Sequence, residues 1–306
     1  MRKLLVIVFF VGFSQLLFAQ QSPVFSQYFV NEIAYNPAVA GSKPYNPFVI
    51  ITRQQWLGFV GAPLTANISY HGALNNRSGM GGSLYHDQTG QSSSSVFELD
   101  YAYHVPLDPD RLNLSFGIGA KAMYYALDLE AGNLPPGEDP AFSGNSYDRF
   151  LADASSGVYL YGKNFYAGYS VLNMLQSNFN KEVGDGFSTN YLHRNYMGML
   201  GYRYEFNRDI HFEPSILIGK TENTKSEYDF SGRVFFRDAF WTGLSVRTNG
   251  SLSAVIGFRA GKMHIAYAYD HFFKEINAYQ NGTHELSISF KVPSIFSQRH
   301  ISFWAY

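Results

Sequence analysis

Cysteine is missing from the chain altogether, so neither a disulfide framework nor thiolate chemistry is open to it, and no cysteine follows the N-terminal apolar run to carry a lipid. Charge is scarce too, at 15% of residues with a formal net charge of −1. A nucleic-acid partner needs a basic face, and this balance excludes one. After Phe18 no apolar run reaches the roughly 20 residues of a spanning helix, so membrane residence is possible only as a closed barrel of strands. Also missing are a phosphate-cradling glycine motif, a nucleophile elbow and paired histidines four residues apart.

Arg2 and Lys3 precede an apolar run from Leu4 to Phe18, and Ala19 stands before the polar Gln20 and Gln21. At about fifteen residues the run is short for a span but suits a cleavable secretory signal, so residues 1–19 read as a signal peptide. Removing Arg2 and Lys3 from the 23 basic residues leaves 21 against 24 acidic ones, a formal charge of −3 for the exported chain.

What the chain has in quantity is aromatic residues, 17% of the total, with 23 Tyr and 27 Phe. Such content suits the aromatic girdles of an outer-membrane barrel. Between Arg111 and Tyr125 the side chains change character at every step. Leu112, Leu114, Phe116 and Ile118 fall on one face, and Asn113, Ser115, Gly117, Gly119 and Lys121 on the other. That is the period of a strand with one face toward lipid.

From Pro47 onward about fourteen such segments are legible, separated by turn residues, which predicts an all-β, transmembrane antiparallel barrel. The expected regions are a leader or plug at 20–46, the barrel at 47–292 and a periplasmic tail at 293–306. Connections sort by length. Short polar turns such as Asn75-Asn76-Arg77 and Gly162-Lys163-Asn164 alternate with longer stretches such as Gln54–Pro63, Asp87–Ser95, Asp128–Arg149 and Asn173–Asn195, Thr248–Ser251 being the exception, short on the long side. Outer-membrane barrels do this, with short periplasmic turns and long outer loops. A soluble β-sandwich array has no reason to.

The polar face carries Arg53, Glu98, Asp100, His104, Lys121, Arg203, Glu205, Glu213, Asp229, Arg233, Arg247, Arg259, His264, Asp270, Glu285 and Lys291. Both signs are mixed, as in a filled lumen where each buried charge needs a partner, and no one-sign eyelet is visible. Closure of the first strand on the last predicts that Arg53 meets Glu285, with Asp270 nearby.

Two further segments are candidate sites. In the first outer loop Trp56, Leu57, Phe59 and Val60 lie beside Gly58, Gly61 and Pro63, an apolar cluster that either caps the lumen or contacts a partner. In the leader, Asn36-Pro37 with Gly41 reads as a turn, either tucked into the barrel or docking a periplasmic partner. No catalytic, cofactor or metal site emerges. His271, His284 and Ser251 near the outer rim carry none of the accompanying pattern that hydrolysis needs.

Several short strings, in order along the chain, resemble the PorP/SprF family of type IX secretion system membrane proteins. They are Phe25-Ser26-Gln27-Tyr28, Asn36-Pro37-Ala38-Val39-Ala40-Gly41, Arg53-Gln54-Gln55-Trp56-Leu57-Gly58, Gly61-Ala62-Pro63-Leu64-Thr65, Pro214-Ser215, Phe240 to Arg247, Tyr267-Ala268-Tyr269-Asp270 and His284-Glu285-Leu286. Pro293 to Tyr306 departs from the pattern. The resemblance implies an outer-membrane barrel of Bacteroidota serving type IX secretion, often with gliding motility or surface adhesins. It implies recognition of a secreted adhesin's C-terminal sorting domain, contact with outer-membrane lipids and the type IX translocon, and a link to a periplasmic peptidoglycan-binding lipoprotein. A passive porin or small-solute transporter is the alternative function.

Overall fold

Alternating side chains can satisfy lipid and lumen together only if every strand finds two neighbours, and the sheet does close on itself. A computed structural model of the chain describes residues 24–108, 111–128, 147–178, 181–183, 186–188, 191–273 and 280–294. The strands are β1 (Tyr45–Gln54), β2 (Leu64–Ala73), β3 (Ser78–Thr89), β4 (Ser92–Asp108), β5 (Leu112–Leu127), β6 (Tyr147–Gly162) and β7 (Phe165–Leu172). A small outer-loop hairpin follows, β8 (Lys181–Val183) with β9 (Gly186–Ser188). The wall resumes with β10 (Asn195–Tyr202), β11 (Tyr204–Glu205), β12 (Ile210–Thr221), β13 (Glu227–Phe236), β14 (Phe240–Arg247), β15 (Ser251–Ala260), β16 (Met263–Phe272) and β17 (Thr283–Pro293).

β10 and β11 are one stave interrupted at Arg203, so the barrel has 14 antiparallel strands. β7 pairs with β10, β10 with β12, and β1 with β17 from Tyr45↔Pro293 to Gln54↔His284. Short turns mark the inner, periplasmic end and mostly longer connections the outer end, where only the β3–β4 and β14–β15 connections are short among the described residues.

In β5, Ile118 is 64% exposed on the outside while Ser115 is fully buried inside. Exposed aromatics stand outward near the inner end, Tyr103, Tyr202, Phe206, Phe236 and Phe258 among them, as the amphipathic ring prefers the membrane interface. Putting a charge on the outer face carries the full cost of lipid contact. Ile118→Lys should therefore destabilise the barrel by about 2–4 kcal/mol, read from urea unfolding in liposomes. A cost under about 0.5 kcal/mol, that of an ordinary surface change, would take Ile118 out of the bilayer.

The structure moves some boundaries. The expected outer loop Asp87–Ser95 is not a loop: β3 runs to Thr89, β4 starts at Ser92, and Ser92↔Leu127 to Ser95↔Tyr124 extend the β4–β5 ladder. Four consecutive serines carry no apolar alternation because this hairpin needs no lipid face at its tip. β1 begins at Tyr45 rather than Pro47, since the end of β17 supplies backbone partners for Tyr45 and Asn46. Of the polar-face residues, Glu205 and Arg259 are exposed, since both lie where strands meet inner turns. The expected signal peptide, most of the 293–306 tail and most of the Asp128–Arg149 loop lie outside the described residues.

Candidate functional site

A 14-stranded wall encloses more volume than its own side chains fill, since eight strands already suffice for that and 16 to 18 leave a channel. Here the leader fills the space. Residues 24–44 run through the lumen as three short 3-10 turns, Tyr28–Val30, Glu32–Ala34 and Pro37–Val39. Phe25, Tyr28, Phe29, Ile33, Tyr35 and Val39 of this plug form a buried core with the wall residues Tyr159, Tyr166, Leu217, Phe235 and Trp241. The inward face is thus partly apolar, because part of it covers a plug rather than water.

The plug's first turn is held by a buried ionic latch. Arg53 donates to Glu285 at 2.8 Å and to Asp270 at 2.7 Å, all three about 1% exposed or less. One guanidinium against two carboxylates leaves a surplus negative charge, which buried groups must have met by hydrogen bonds. The plug meets it. The backbone N–H groups of Ser26 and Gln27 donate to Glu285 at 2.8 Å each, and the Ser26 hydroxyl donates to Asp270 at 2.7 Å. Hydrogen bonds to charged groups contribute roughly 1.5–3 kcal/mol apiece. Farther along, Tyr28 donates to Ser215 at 2.8 Å, Asn31 to Asn67 at 2.6 Å, and the Arg233 guanidinium lies 3.6 Å from the Phe29 ring centre.

The last turn is held by shape. Asn36 caps it by accepting from the Ala38 N–H and donating to the Val158 carbonyl, both at 2.9 Å. Gly41 has φ +72°, which a residue with Cβ adopts reluctantly. The wall beneath is glycine. A Cβ on Gly117 would stand 2.2 Å from the Ala38 nitrogen, on Gly79 2.1 Å from the Ala40 oxygen, and on Gly157 2.1 Å from the Asn36 side-chain oxygen. His104 completes the grip, its Nε2 bonding the Ala40 carbonyl and its Nδ1 the Tyr161 hydroxyl, each at 2.9 Å. That pairing fits one neutral tautomer, with the proton on Nε2 and Tyr161 as donor.

Residues 17–290 match the family described as "Type IX secretion system membrane protein PorP/SprF". The chain belongs to the PorP/SprF family. Among curated proteins none matches it. Among solved structures the family member is similar to a Pseudomonas aeruginosa FadL homologue, at 10% identity over 85% of this chain and 93% of that one with a TM-score of 0.46. It is also similar to the Pseudomonas putida toluene transporter TodX, at 12% identity, 89% and 95% coverage and a TM-score of 0.47. A third is the Acinetobacter baumannii outer membrane protein Omp33, at 8% identity, 82% and 99% coverage and a TM-score of 0.44. The barrel and the family together place this PorP/SprF protein in the outer membrane.

Outward of the plug, the PorP/SprF lumen opens as a cavity of about 470 Å³ whose floor includes Val24, Phe25 and Tyr35. The first outer loop does not enter it. Leu57, Phe59 and Val60 are 43%, 50% and 95% exposed, while Pro63 is buried. The loop is pinned on both sides: the Leu57 N–H donates to the Gly282 carbonyl at 2.9 Å, and the Gly90 N–H to the Gly61 carbonyl at 2.9 Å. Gly58 lies against Asn281, and Trp56 holds φ +46°, an uncommon and strained conformation for a bulky residue. Ser251 donates to its own turn at Asn249, and His284 bonds Tyr267 at 2.6 Å, so the structure does not bring these two together as a dyad. Among the described residues no group of three or more His, Asp or Glu is placed to hold a metal ion.

Sequence reasoning reached Arg53, Glu285, Asp270 and the Asn36–Gly41 turn. It missed the glycine floor at Gly79, Gly117 and Gly157, and it missed how charges sort by height. Toward the outer end, Glu98, Asp229, Asp270 and Glu285 outnumber Arg53, Lys121 and Arg247. Toward the inner end, Lys43, Arg203, Arg233 and Lys291 outnumber Glu32 and Glu213.

Proposed function

We propose that this family member is a cargo-specific accessory in type IX secretion that anchors a large secreted adhesin at the cell surface, as in gliding motility. The observation that carries this reading is the latched plug, whose buried ionic and glycine-fitted contacts occupy the space a porin would keep open. Its partners on this reading are the adhesin's C-terminal sorting domain on the outside, the translocon beside it, and a peptidoglycan-binding lipoprotein on the inner face. The rigid apolar crest Leu57, Phe59 and Val60 supports an outer contact, since exposed apolar groups on an ordered loop commonly mark one.

Deleting the gene should abolish surface display of one large adhesin and leave outer-membrane permeability to small solutes unchanged. The reverse result, normal display with reduced solute uptake, supports the porin alternative and defeats the proposal. A finer prediction concerns the crest. Val60→Asp should alter stability by no more than about 0.5 kcal/mol, as an exposed site allows, yet lower adhesin display several-fold in surface labelling of intact cells. Full display in that variant would remove the crest from the contact.

A further inference from the structure

The inner mouth of the lumen holds a second cavity, about 40 Å³, between the plug and the β16–β17–β1 sector of the wall. On the same measure one water needs about 10–15 Å³, so a carboxylate group fits. Among the described residues its charged lining is one-sided: Lys43, Arg233 and Lys291 against Glu32. Glu32 is bridged by Lys43 at 3.0 Å, and Arg233 by Glu213 at 3.1 Å. Lys291 meets no carboxylate in salt-bridge range among the described residues, only the Tyr45 ring at 5.2 Å. His264, 8% exposed, lines the same space, and its Nε2 is buried with no hydrogen-bond partner among the described residues. Arg259 adds a cation as the cross-strand neighbour of His264. Of the carboxylates of the adjoining turns, Asp209 pairs with Arg237 at 3.5 Å, and Asp238, 3.7 Å from His211, is near enough to attract Lys291 and His264 but outside salt-bridge range of both.

A buried ring nitrogen without a partner is costly, and with the proton on Nε2 it is a donor in want of an acceptor; an ammonium beside it with no carboxylate in salt-bridge range adds to that cost. An anionic group between Lys291 and His264 relieves both. We propose that the inner mouth is a binding site for an acidic peptide segment presented from the periplasm, with one carboxylate seated between Lys291 and His264. Peptide is favoured over lipid because Lys291, His264 and Ser289 face the lumen, whereas headgroups lie outside the wall. The inference is independent of which cargo is served at the outer face.

The test uses the purified full chain in nanodiscs, with a fluorescent tetraglutamate peptide as probe. Binding is expected to saturate, to weaken as salt rises, and to fall at least tenfold in Lys291→Gln and in His264→Gln. The outer-rim variant Lys225→Gln should bind as the parent does. Because a variant can misfold, a second reading is taken on the unaltered protein: with ¹³C-labelled histidine, one ring signal, identified as the one missing in His264→Gln, shifts as peptide is added. Unchanged affinity in both inner-mouth variants overturns the proposal. So does binding of inorganic phosphate without binding of the peptide, which means an adventitious ion only, and so does displacement of the peptide by phosphatidylglycerol, which means a headgroup site.

Discussion

Arg53→Met should turn a plugged barrel into a conducting one. The substitution removes the single cation between Glu285 and Asp270, both essentially buried, and leaves two carboxylates facing each other. Breaking a buried ion pair from one side costs about 3–5 kcal/mol. The wall cannot relax, since β1 and β17 are joined by a backbone ladder across ten residue pairs. The plug can. Water entering from the outer cavity would hydrate both carboxylates, and the Ser26 and Gln27 donors that hold the plug would be exchanged for solvent. The measurement is single-channel recording in planar bilayers, where the parent stays closed and the variant shows discrete openings. The triple variant Arg53→Met, Asp270→Asn, Glu285→Gln should close again, because neutral amides still accept from Ser26 and Gln27 without surplus charge. A silent Arg53→Met protein, with its plug as protected as the parent's, would mean that the latch does not hold the plug.

The wall was legible because its rule is local. A residue's neighbour at two positions decides whether it meets lipid or lumen, so Leu114, Phe116 and Ile118 declare themselves within one strand, and closure then places Arg53 beside Glu285. The tip of the β3–β4 hairpin escaped because Ser92 to Ser95 have no apolar face to alternate with. The plug's fit escaped for a different reason. Gly79 on β3, Gly117 on β5 and Gly157 on β6 all fall on the inward face, but their alignment under Ala38 and Ala40 depends on the stagger of three strands, which no single segment encodes. A usable signal was there: inward glycines on neighbouring strands, opposite a leader with its own Asn-Pro and Gly. The charges looked evenly mixed for the same reason, because height in a tilted barrel is set by register, and register sorts acids outward and bases inward. Trp241 and Phe235 form the floor on which Phe29 packs, the Phe29 and Trp241 ring centres lying 5.5 Å apart.

Gly117→Val should release the plug by shape alone, with no change of charge. The first atom of the new side chain would lie 2.2 Å from the Ala38 nitrogen and 2.4 Å from its Cα. Both are backbone atoms within a capped turn, so no rotamer change relieves the clash. Overpacking of this kind costs about 1–3 kcal/mol or more, whereas valine suits a strand better than glycine. The wall therefore keeps its fold while the Asn36–Gly41 turn is driven off its seat. Chymotrypsin should then cut at Tyr28, Phe29 or Tyr35, all buried in the parent, and the barrel should conduct. Gly198→Ala is the matched control, since a Cβ there meets Ile218 at an ordinary 3.5 Å, and it should leave both readings unchanged. If Gly117→Val and Gly198→Ala give the same cleavage pattern as the parent, the glycine floor is packing without consequence, and the ionic latch alone retains the plug.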